Sequence, residues 1–401
     1  MKPNIRNLIF SVALAVGAAS VYAKPVQIVD TANRKVTVDL PVKRAVVGFY
    51  YQDYMAVGGK EAFDNVVGLS KAVWADWAPT SWEAFTKAVP RLNELADVGE
   101  VEVGTFSIEK VLSLKPDLLV LADWQYQALG SDLDRLEKAG IPVVVLDYNA
   151  QTVAKHVKST EIIGTLTGRP ERAKQLADDY KAIADDIQAR VKKANLPKPK
   201  VYVEFGNKGP SEYSFTFGKA MWGPMIDLVG GENISAKAVE FYAPVNPETV
   251  LAAKPDVVVI TGRETELKKN PSAMVMGWQI DKGEAQRRLN GFAKRQGWNA
   301  LPAVQNNRFY GAYHANSRTL SDGASLQFMA KAVYPQLFAD LNPDKTYQDF
   351  YRNNLPVMPQ GTFYIQAGCE TLGCNAEAGG QTQNGGGSWW DRLVAWFKSL
   401  F

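Results

Sequence analysis

The chain has 401 residues, 46% of them hydrophobic, which is enough to bury two ordinary cores. Its 45 basic and 42 acidic residues nearly balance, so its charge gives no reason to expect nucleic acid as a partner. Its two histidines, His156 and His314, are too few for a histidine-built metal site.

The amino terminus carries an export signal. Lys2 and Arg6 precede an apolar run from Leu8 to Ala19, and Val21-Tyr22-Ala23 supplies the small residues of a cleavage site. The run is too short to span a bilayer, and no cysteine follows it to accept a lipid. Residues 1–23 are therefore predicted to be removed, leaving a periplasmic protein.

Residues 24–168 are predicted to form a first α/β lobe. A hairpin-like stretch at 26–38 is followed by short apolar strands that alternate with helices, the pattern of a parallel sheet with helices on its faces. An aromatic loop containing Pro79 is expected at residues 74–82.

Residues 169–196 predict one long helix. Pro170 suits the first helical turn, and apolar residues then recur at helical spacing, with no further Gly or Pro before Leu196-Pro197. A helix of this length is about as wide as a domain. It is therefore interpreted as a spine between two lobes.

The strand–helix pattern restarts over residues 197–365, which predict a second lobe. Residues 246–260 repeat the plan of residues 107–121, since both run from a helix through Lys-Pro-Asp into an apolar strand. The fold class is α/β, with two Rossmann-like lobes of parallel sheets joined by a single helix. A ligand cleft is expected between the lobes.

These features together resemble the periplasmic substrate-binding proteins of the iron-siderophore and vitamin B12 ABC importers. The resemblance rests on the export signal, the two Lys-Pro-Asp motifs, the single spine and a final helix near residues 330–338. It implies two lobes that close little on their ligand and a docking function toward a membrane permease. The family's docking acids, one on each lobe, are sought at Glu94 and Glu232. A monomer without a resident cofactor is expected.

The candidate ligand residues follow from the fold class, because ligands of open α/β sheets bind outside the carboxyl ends of the strands. Aromatic rings with polar tips suit a bulky metal chelate, and an arginine pairs with carboxylate or catecholate oxygens. The candidates are Tyr50, Tyr51, Trp74, Trp77, Trp82, Trp124, Tyr126, Tyr213, Trp222, Tyr242, Arg263, Tyr313 and His314.

A ferric siderophore is the leading ligand, with haem, a corrinoid or an oxyanion such as molybdate as alternatives. Two other classes of protein stay open. One is an exported α/β enzyme with a cleft-bound cofactor, although the common hydrolase, phosphate-loop and zinc-protease motifs are missing from the sequence. The other is a membrane-surface interaction protein.

The last part of the chain departs from the family pattern. Residues 366–388 are predicted to be a flexible linker, and its Cys369 and Cys374 to form a local disulfide in an oxidising compartment. Residues 389–401, Trp-Trp-Asp-Arg-Leu-Val-Ala-Trp-Phe-Lys-Ser-Leu-Phe, divide into an apolar and a polar side at helical spacing. This pattern predicts an interfacial helix that binds a membrane surface or a partner. Packing on the body and an engineered appendage are the alternatives.

Overall fold

A computed structural model of the chain describes residues 24–374. The predicted signal at 1–23 and the predicted helix at 389–401 lie outside these residues. None of the described helices is both long and apolar enough to cross a membrane.

The first lobe is a parallel sheet with helices on its faces. Five strands pair in the order β5-β4-β3-β6-β7, and a separate antiparallel hairpin, β1-β2, precedes them. The strands are β1 Lys24–Val29, β2 Lys35–Leu40, β3 Ala45–Val47, β4 Val66–Leu69, β5 Ala96–Asp97, β6 Leu118–Ala122 and β7 Val143–Leu146. The helices are α1 Tyr51–Gly58, α2 Lys71–Trp77, α3 Pro79–Ala88, α4 Arg91–Glu94, α5 Ile108–Ser113, α6 Asp123–Leu129, α7 Asp134–Lys138 and α8 Val153–Thr167.

The predicted spine is helix α9, Pro170–Ala194, with Pro170 in its first turn and Asn195 in the left-handed conformation at its end. Its 25 residues correspond to about 37 Å. Ala173, Leu176, Tyr180 and Ile187 recur at helical spacing and are buried. Helix α9 packs along α8 and along the later helix Gly323–Val333. The single connecting helix is therefore confirmed.

The second lobe has a mixed sheet. Strands β8, β12 and β14 are parallel, whereas β9, β11 and β16 add antiparallel edges. The strands are β8 Lys200–Phe205, β9 Phe215–Phe217, β10 Glu232–Asn233, β11 Tyr242–Pro244, β12 Val257–Gly262, β13 Gly277–Trp278, β14 Phe309–Tyr313, β15 Gly361–Thr362 and β16 Tyr364–Gln366. The helices are α10 Trp222–Leu228, α11 Pro247–Ala253, α12 Glu266–Lys269, α13 Lys282–Ala293, α14 Pro302–Gln305, α15 Gly323–Val333 and α16 Pro343–Asn354.

The two Lys-Pro-Asp motifs have the same local structure. Lys115 and Lys254 both adopt positive φ, which ends the helix before the proline. Asp117 then accepts hydrogen bonds from the backbone of Lys43 and Arg44, and Asp256 accepts one from the backbone of Lys200. In each lobe the motif therefore stops a helix and fastens the next strand to its parallel neighbour.

Two predicted segments differ from the structure. Residues 74–82 form the end of α2 and the start of α3, because Pro79 begins a new helix rather than a loop. Residues 366–374 belong to the second lobe rather than to a linker, since Gln366 ends β16 and Cys369 is buried. The disulfide between Cys369 and Cys374 is present.

Helices α8 and α9 pack closely where Gly164 meets Ala173. A Cβ atom at Gly164 of α8 would lie 2.3 Å from the Cβ atom of Ala173 in α9. Gly164→Val should therefore force the two helices apart and lower the free energy of unfolding by about 2–3 kcal/mol, measured by urea denaturation. Gly291→Ala is the matched control, because its Cβ would meet nothing within 4 Å on α13. The control should be neutral or more stable by up to about 1 kcal/mol, and equal losses in both variants would contradict the close packing.

Candidate functional site

A small cavity of about 30 Å³ lies between the lobes, at the carboxyl ends of their central strands. Its lining combines aromatic rings with two arginines and a histidine. The lining residues are Phe49, Gln52, Asp53, Trp74, Trp77, Ala78, Met221, Arg263, His314, Ala315, Arg318 and Thr319. The first lobe thus contributes the rings of Phe49, Trp74 and Trp77, which together form an aromatic wall. The second lobe contributes both arginines and the histidine.

Arg263 follows β12 directly and projects toward the aromatic wall. Its guanidinium carbon lies 5.2 Å from the ring centre of Trp77 and 4.9 Å from that of Phe205. Burial, with the positive charge of Arg318 adding to it, lowers the pKa of Arg263 to about 10. Arg263 remains a cation at neutral pH, and none of the ion pairs within residues 24–374 includes it.

Arg318 lies in the segment that joins β14 to α15, and it crosses back to the first lobe. Its guanidinium carbon is 4.6 Å from the ring centres of both Phe49 and Trp124. Nη1 donates a hydrogen bond of 3.1 Å to Oε1 of Glu102. Arg318 is 8% exposed, so its charge is held against aromatic faces and largely removed from water.

Buried carboxyl groups fasten the segment that carries Arg318 to the first lobe. Asp53 accepts hydrogen bonds from the backbone of Leu320 at 2.5 Å and from the hydroxyl of Thr319 at 2.8 Å. Asp322 accepts a bond of 2.6 Å from Gln151 and lies 3.1 Å from Nε2 of His156. Because these contacts involve residues that closely follow Arg318 in sequence, they fix its position relative to the aromatic wall.

His314 is neutral in this setting. Burial lowers its pKa well below the ordinary value, and the charges of Arg263 and Arg318 lower it further. Nδ1 lies 3.1 Å from the hydroxyl of Thr261, and the ring stacks on Phe205 with centres 4.2 Å apart. The imidazole of His314 is therefore an uncharged polar group in the cavity lining, next to the cations Arg263 and Arg318.

Four of the thirteen predicted ligand residues line the cavity: Trp74, Trp77, Arg263 and His314. Two more lie close to it. Trp124 packs under Arg318, and Tyr242 is 44% exposed beside Glu102 at the edge of the cleft.

The other seven predicted ligand residues do not line the cavity, and each is buried or packed against another part of its own lobe. In the first lobe, Tyr50, Tyr51 and Trp82 are buried in the core, and Tyr126 stacks on Arg34 of the hairpin connection. In the second lobe, Trp222 is fully buried, Tyr213 accepts a hydrogen bond from Trp298, and Tyr313 packs on Phe363. The other eight lining residues were not among the candidates: Phe49, Gln52, Asp53, Ala78, Met221, Ala315, Arg318 and Thr319. Of these, Phe49 follows the central strand β3 closely enough to have been found.

Glu264, the residue after Arg263 in the sequence, is a buried acid. It is 7% exposed, and neither carboxyl oxygen meets hydrogen-bond geometry with a described residue. Burial raises its pKa from 4.5 to about 7, and the Tyr313 hydroxyl and Arg263 oppose this shift. Glu264 therefore binds a proton in the folded protein over a pH range in which the unfolded chain has lost it.

This shift predicts how stability changes with pH. The contribution of Glu264 is complete below its unfolded pKa near 4.5 and is lost as the pH rises through about 7. Between pH 4.5 and 8 the wild type should lose about 3 kcal/mol of unfolding free energy relative to Glu264→Gln. Urea denaturation of both proteins across this range measures the difference, and parallel curves would contradict the assignment.

Comparison with known proteins gives the family. A family described as "Periplasmic binding protein" matches residues 61–313, and the chain belongs to it. It is a solute-binding component of an ABC importer, and its two α/β lobes with a cleft between them fit that class.

Individual relatives cover most of the chain. The TroA-like periplasmic binding protein FepB from Veillonella parvula is 32% identical, with a TM-score of 0.79, and the match covers 86% of this chain and all of that one. An uncharacterized ABC transporter substrate-binding lipoprotein, YvrC of Bacillus subtilis, is 24% identical over 79% of this chain and 88% of its own. The molybdate-binding protein MolA of Haemophilus influenzae is 23% identical over 81% of this chain and 89% of its own.

Proposed function

We propose that the imported ligand is an anionic iron chelate, a ferric siderophore, bound in the cleft between Arg263 and Arg318. The observation that carries this proposal is that two arginines, the buried Arg318 and the half-buried Arg263, face one cavity lined by aromatic rings. Planar guanidinium groups pair with carboxylate or catecholate oxygens, and the rings of Phe49, Trp74 and Trp77 suit the apolar body of a chelate.

A simple oxyanion such as molybdate is the second candidate, favoured by the size of the cavity. A volume of about 30 Å³ is far below the several hundred that a bulky ligand occupies. A chelate would therefore require the lobes to separate at their contacts, which include Arg318–Glu102 and the 4.0 Å approach of Lys269 to Asp76. The relative MolA is named as a molybdate-binding protein.

The test is a titration of the mature protein, lacking residues 1–23, with ferric siderophores, molybdate, haem and cobalamin. Tryptophan fluorescence reports binding, because Trp74, Trp77 and Trp124 surround the cavity. Saturable one-to-one quenching by a ferric siderophore at submicromolar concentration supports the proposal. Quenching by molybdate alone supports the oxyanion, and binding of uncharged cobalamin alone overturns both.

Docking to the permease is proposed at Glu94 and Glu232, one acid on each lobe. Both side chains are exposed, and Glu94 lies 2.8 Å from Arg91 of its own helix. Exposed acids on both lobes would let a permease sense the arrangement of the two lobes together. Charge reversal at both positions should abolish ligand-stimulated ATP hydrolysis by the reconstituted importer while ligand affinity stays unchanged.

The working location is proposed to be the periplasm, after removal of residues 1–23, with the protein acting as a monomer and without covalent chemistry. Residues 389–401 are proposed to hold it to a membrane surface, as their aromatic and basic residues suit a lipid interface. Liposome pelleting of the full mature chain, with a chain ending at 388 as control, tests this role. Equal pelleting of the two would contradict it.

A further inference from the structure

Arg318 forms a salt bridge with a carboxylate of the protein, whereas Arg263 forms none among the described residues. Glu102 lies 3.1 Å from Nη1 of Arg318, and it is the acid that pairs with this arginine among the described residues. The two arginines that face the cavity are therefore not equivalent. An incoming anion meets one arginine without a salt bridge and one arginine whose guanidinium group is already bonded to a carboxylate.

Glu102 and Arg318 differ in how firmly they are held. Arg318 lies against two aromatic rings, and the next two residues are bonded to Asp53. Glu102 lies on a single 3₁₀ turn, Val101–Val103, and its side chain is 20% exposed. The turn ends at Gly104, which has positive φ and nothing within 4 Å of a Cβ built there.

This asymmetry decides which partner leaves when an anion arrives. Glu102 can turn toward water and recover its hydration, while Arg318 has no such route out of its aromatic surroundings. Glu102 also lies beside Tyr242 of the second lobe, at the edge of the cleft. Its departure would remove a negative charge from the cavity and open that edge in the same movement.

We propose that Glu102 is a specificity-determining residue that occupies Arg318 while the cleft is empty and must be displaced by the ligand. This inference rests on the proposed function in that the ligand is an anion bound at the same two arginines. Breaking the salt bridge between Glu102 and Arg318 costs free energy that the ligand must supply on binding. Simple anions that pair weakly with the arginines do not supply it, and an anion that engages both guanidinium groups does.

The test uses sodium sulfate and sodium molybdate as simple dianions, titrated into the mature chain with tryptophan fluorescence as the readout. Glu102→Gln keeps the shape of the side chain and removes its charge, so it should bind these dianions about tenfold more tightly than the wild type. Glu109→Gln is the matched control. Like Glu102, Glu109 belongs to the first lobe and pairs with an arginine. Its partner is Arg135 at 2.7 Å, and this pair lies on the surface.

A second comparison tests whether the gain acts through Arg318. In an Arg318→Gln background, Glu102→Gln should give no gain, because the occupied cation is gone. Unchanged or weaker dianion binding by Glu102→Gln, including no binding by any variant up to millimolar concentration, would overturn the proposal. So would a tenfold gain that persists without Arg318.

The result of the Glu102 test can be distinguished from the result of the ligand titration that tests the proposed function. The proposed ligand fails when the wild type binds no ferric siderophore in the titration panel. The role of Glu102 is measured instead by the ratio of dianion affinities between Glu102→Gln and the wild type. A silent wild type together with a variant that binds sulfate would support the role of Glu102 and reject the proposed ligand.

Discussion

Arg263→Met should lower the affinity for the anionic ligand about hundredfold. Arg263 lines the cavity, is half-buried, is positively charged at neutral pH and forms no salt bridge within residues 24–374, so its guanidinium group can pair with the ligand. Truncating one partner of a desolvated, hydrogen-bonded charge pair typically costs about 2–5 kcal/mol, and hundredfold corresponds to roughly 3 kcal/mol. Met retains much of the apolar length of the side chain, which limits the loss to the charge and its hydrogen bonds.

The measurement is the dissociation constant of the strongest ligand in the titration panel, at low and at moderate salt. Arg263→Lys should give an intermediate affinity, because it keeps the charge but loses the planar fork. Arg287→Gln serves as the control, since Arg287 is exposed on α13 and pairs with Glu284. Wild-type affinity in Arg263→Met would remove the electrostatic basis of the proposed function.

Arg295→Met should cause the largest loss of stability, about 3–5 kcal/mol. Arg295 is bidentate to Glu204, with bonds of 2.7 Å and 2.9 Å, and the carboxylate is fully buried in β8. It also donates to three backbone carbonyl groups, those of Gly209, Pro210 and Glu212. The substitution therefore leaves a buried negative charge with its main partner removed and releases the connection between β8 and β9.

Urea denaturation monitored by circular dichroism measures this loss. The double variant Glu204→Gln with Arg295→Met should recover part of the stability, because the uncompensated charge is then absent. Arg287→Met is the surface control and should change stability by no more than about 0.5 kcal/mol. If Arg295→Met matched that control, the ion pair would contribute little to the second lobe.

Local sequence patterns were sufficient to predict the two lobes and the helix between them, but not the antiparallel strands at the edges of the second sheet. The spine was readable because Ala173, Leu176 and Tyr180 repeat at helical spacing and all become buried. The two Lys-Pro-Asp motifs were readable because a proline after a helix and an apolar run after an aspartate act over a few residues. Such signals need no knowledge of distant parts of the chain.

The candidate site was less predictable because its geometry depends on distant contacts. The sequence identified aromatic residues near strand ends, but it did not reveal which side of a helix each would occupy. Tyr126 and Trp222 were therefore predicted at the ligand, whereas Tyr126 lies against Arg34 and Trp222 is buried in the second lobe. Arg318 was missed because it lies in a connecting segment that is fastened to the first lobe by the contacts of Thr319 and Leu320 with Asp53. Pairings between residues so far apart in the sequence have no local signature.

The most direct test of the central claim is a crystal structure of the mature protein with its anionic ligand, using anomalous scattering from the metal. The proposal that the two arginines bind the ligand predicts one anomalous peak in the cleft, with ligand oxygens within hydrogen-bond distance of both Arg263 and Arg318. A peak outside the cleft, or ligand oxygens that contact neither guanidinium group, would contradict it.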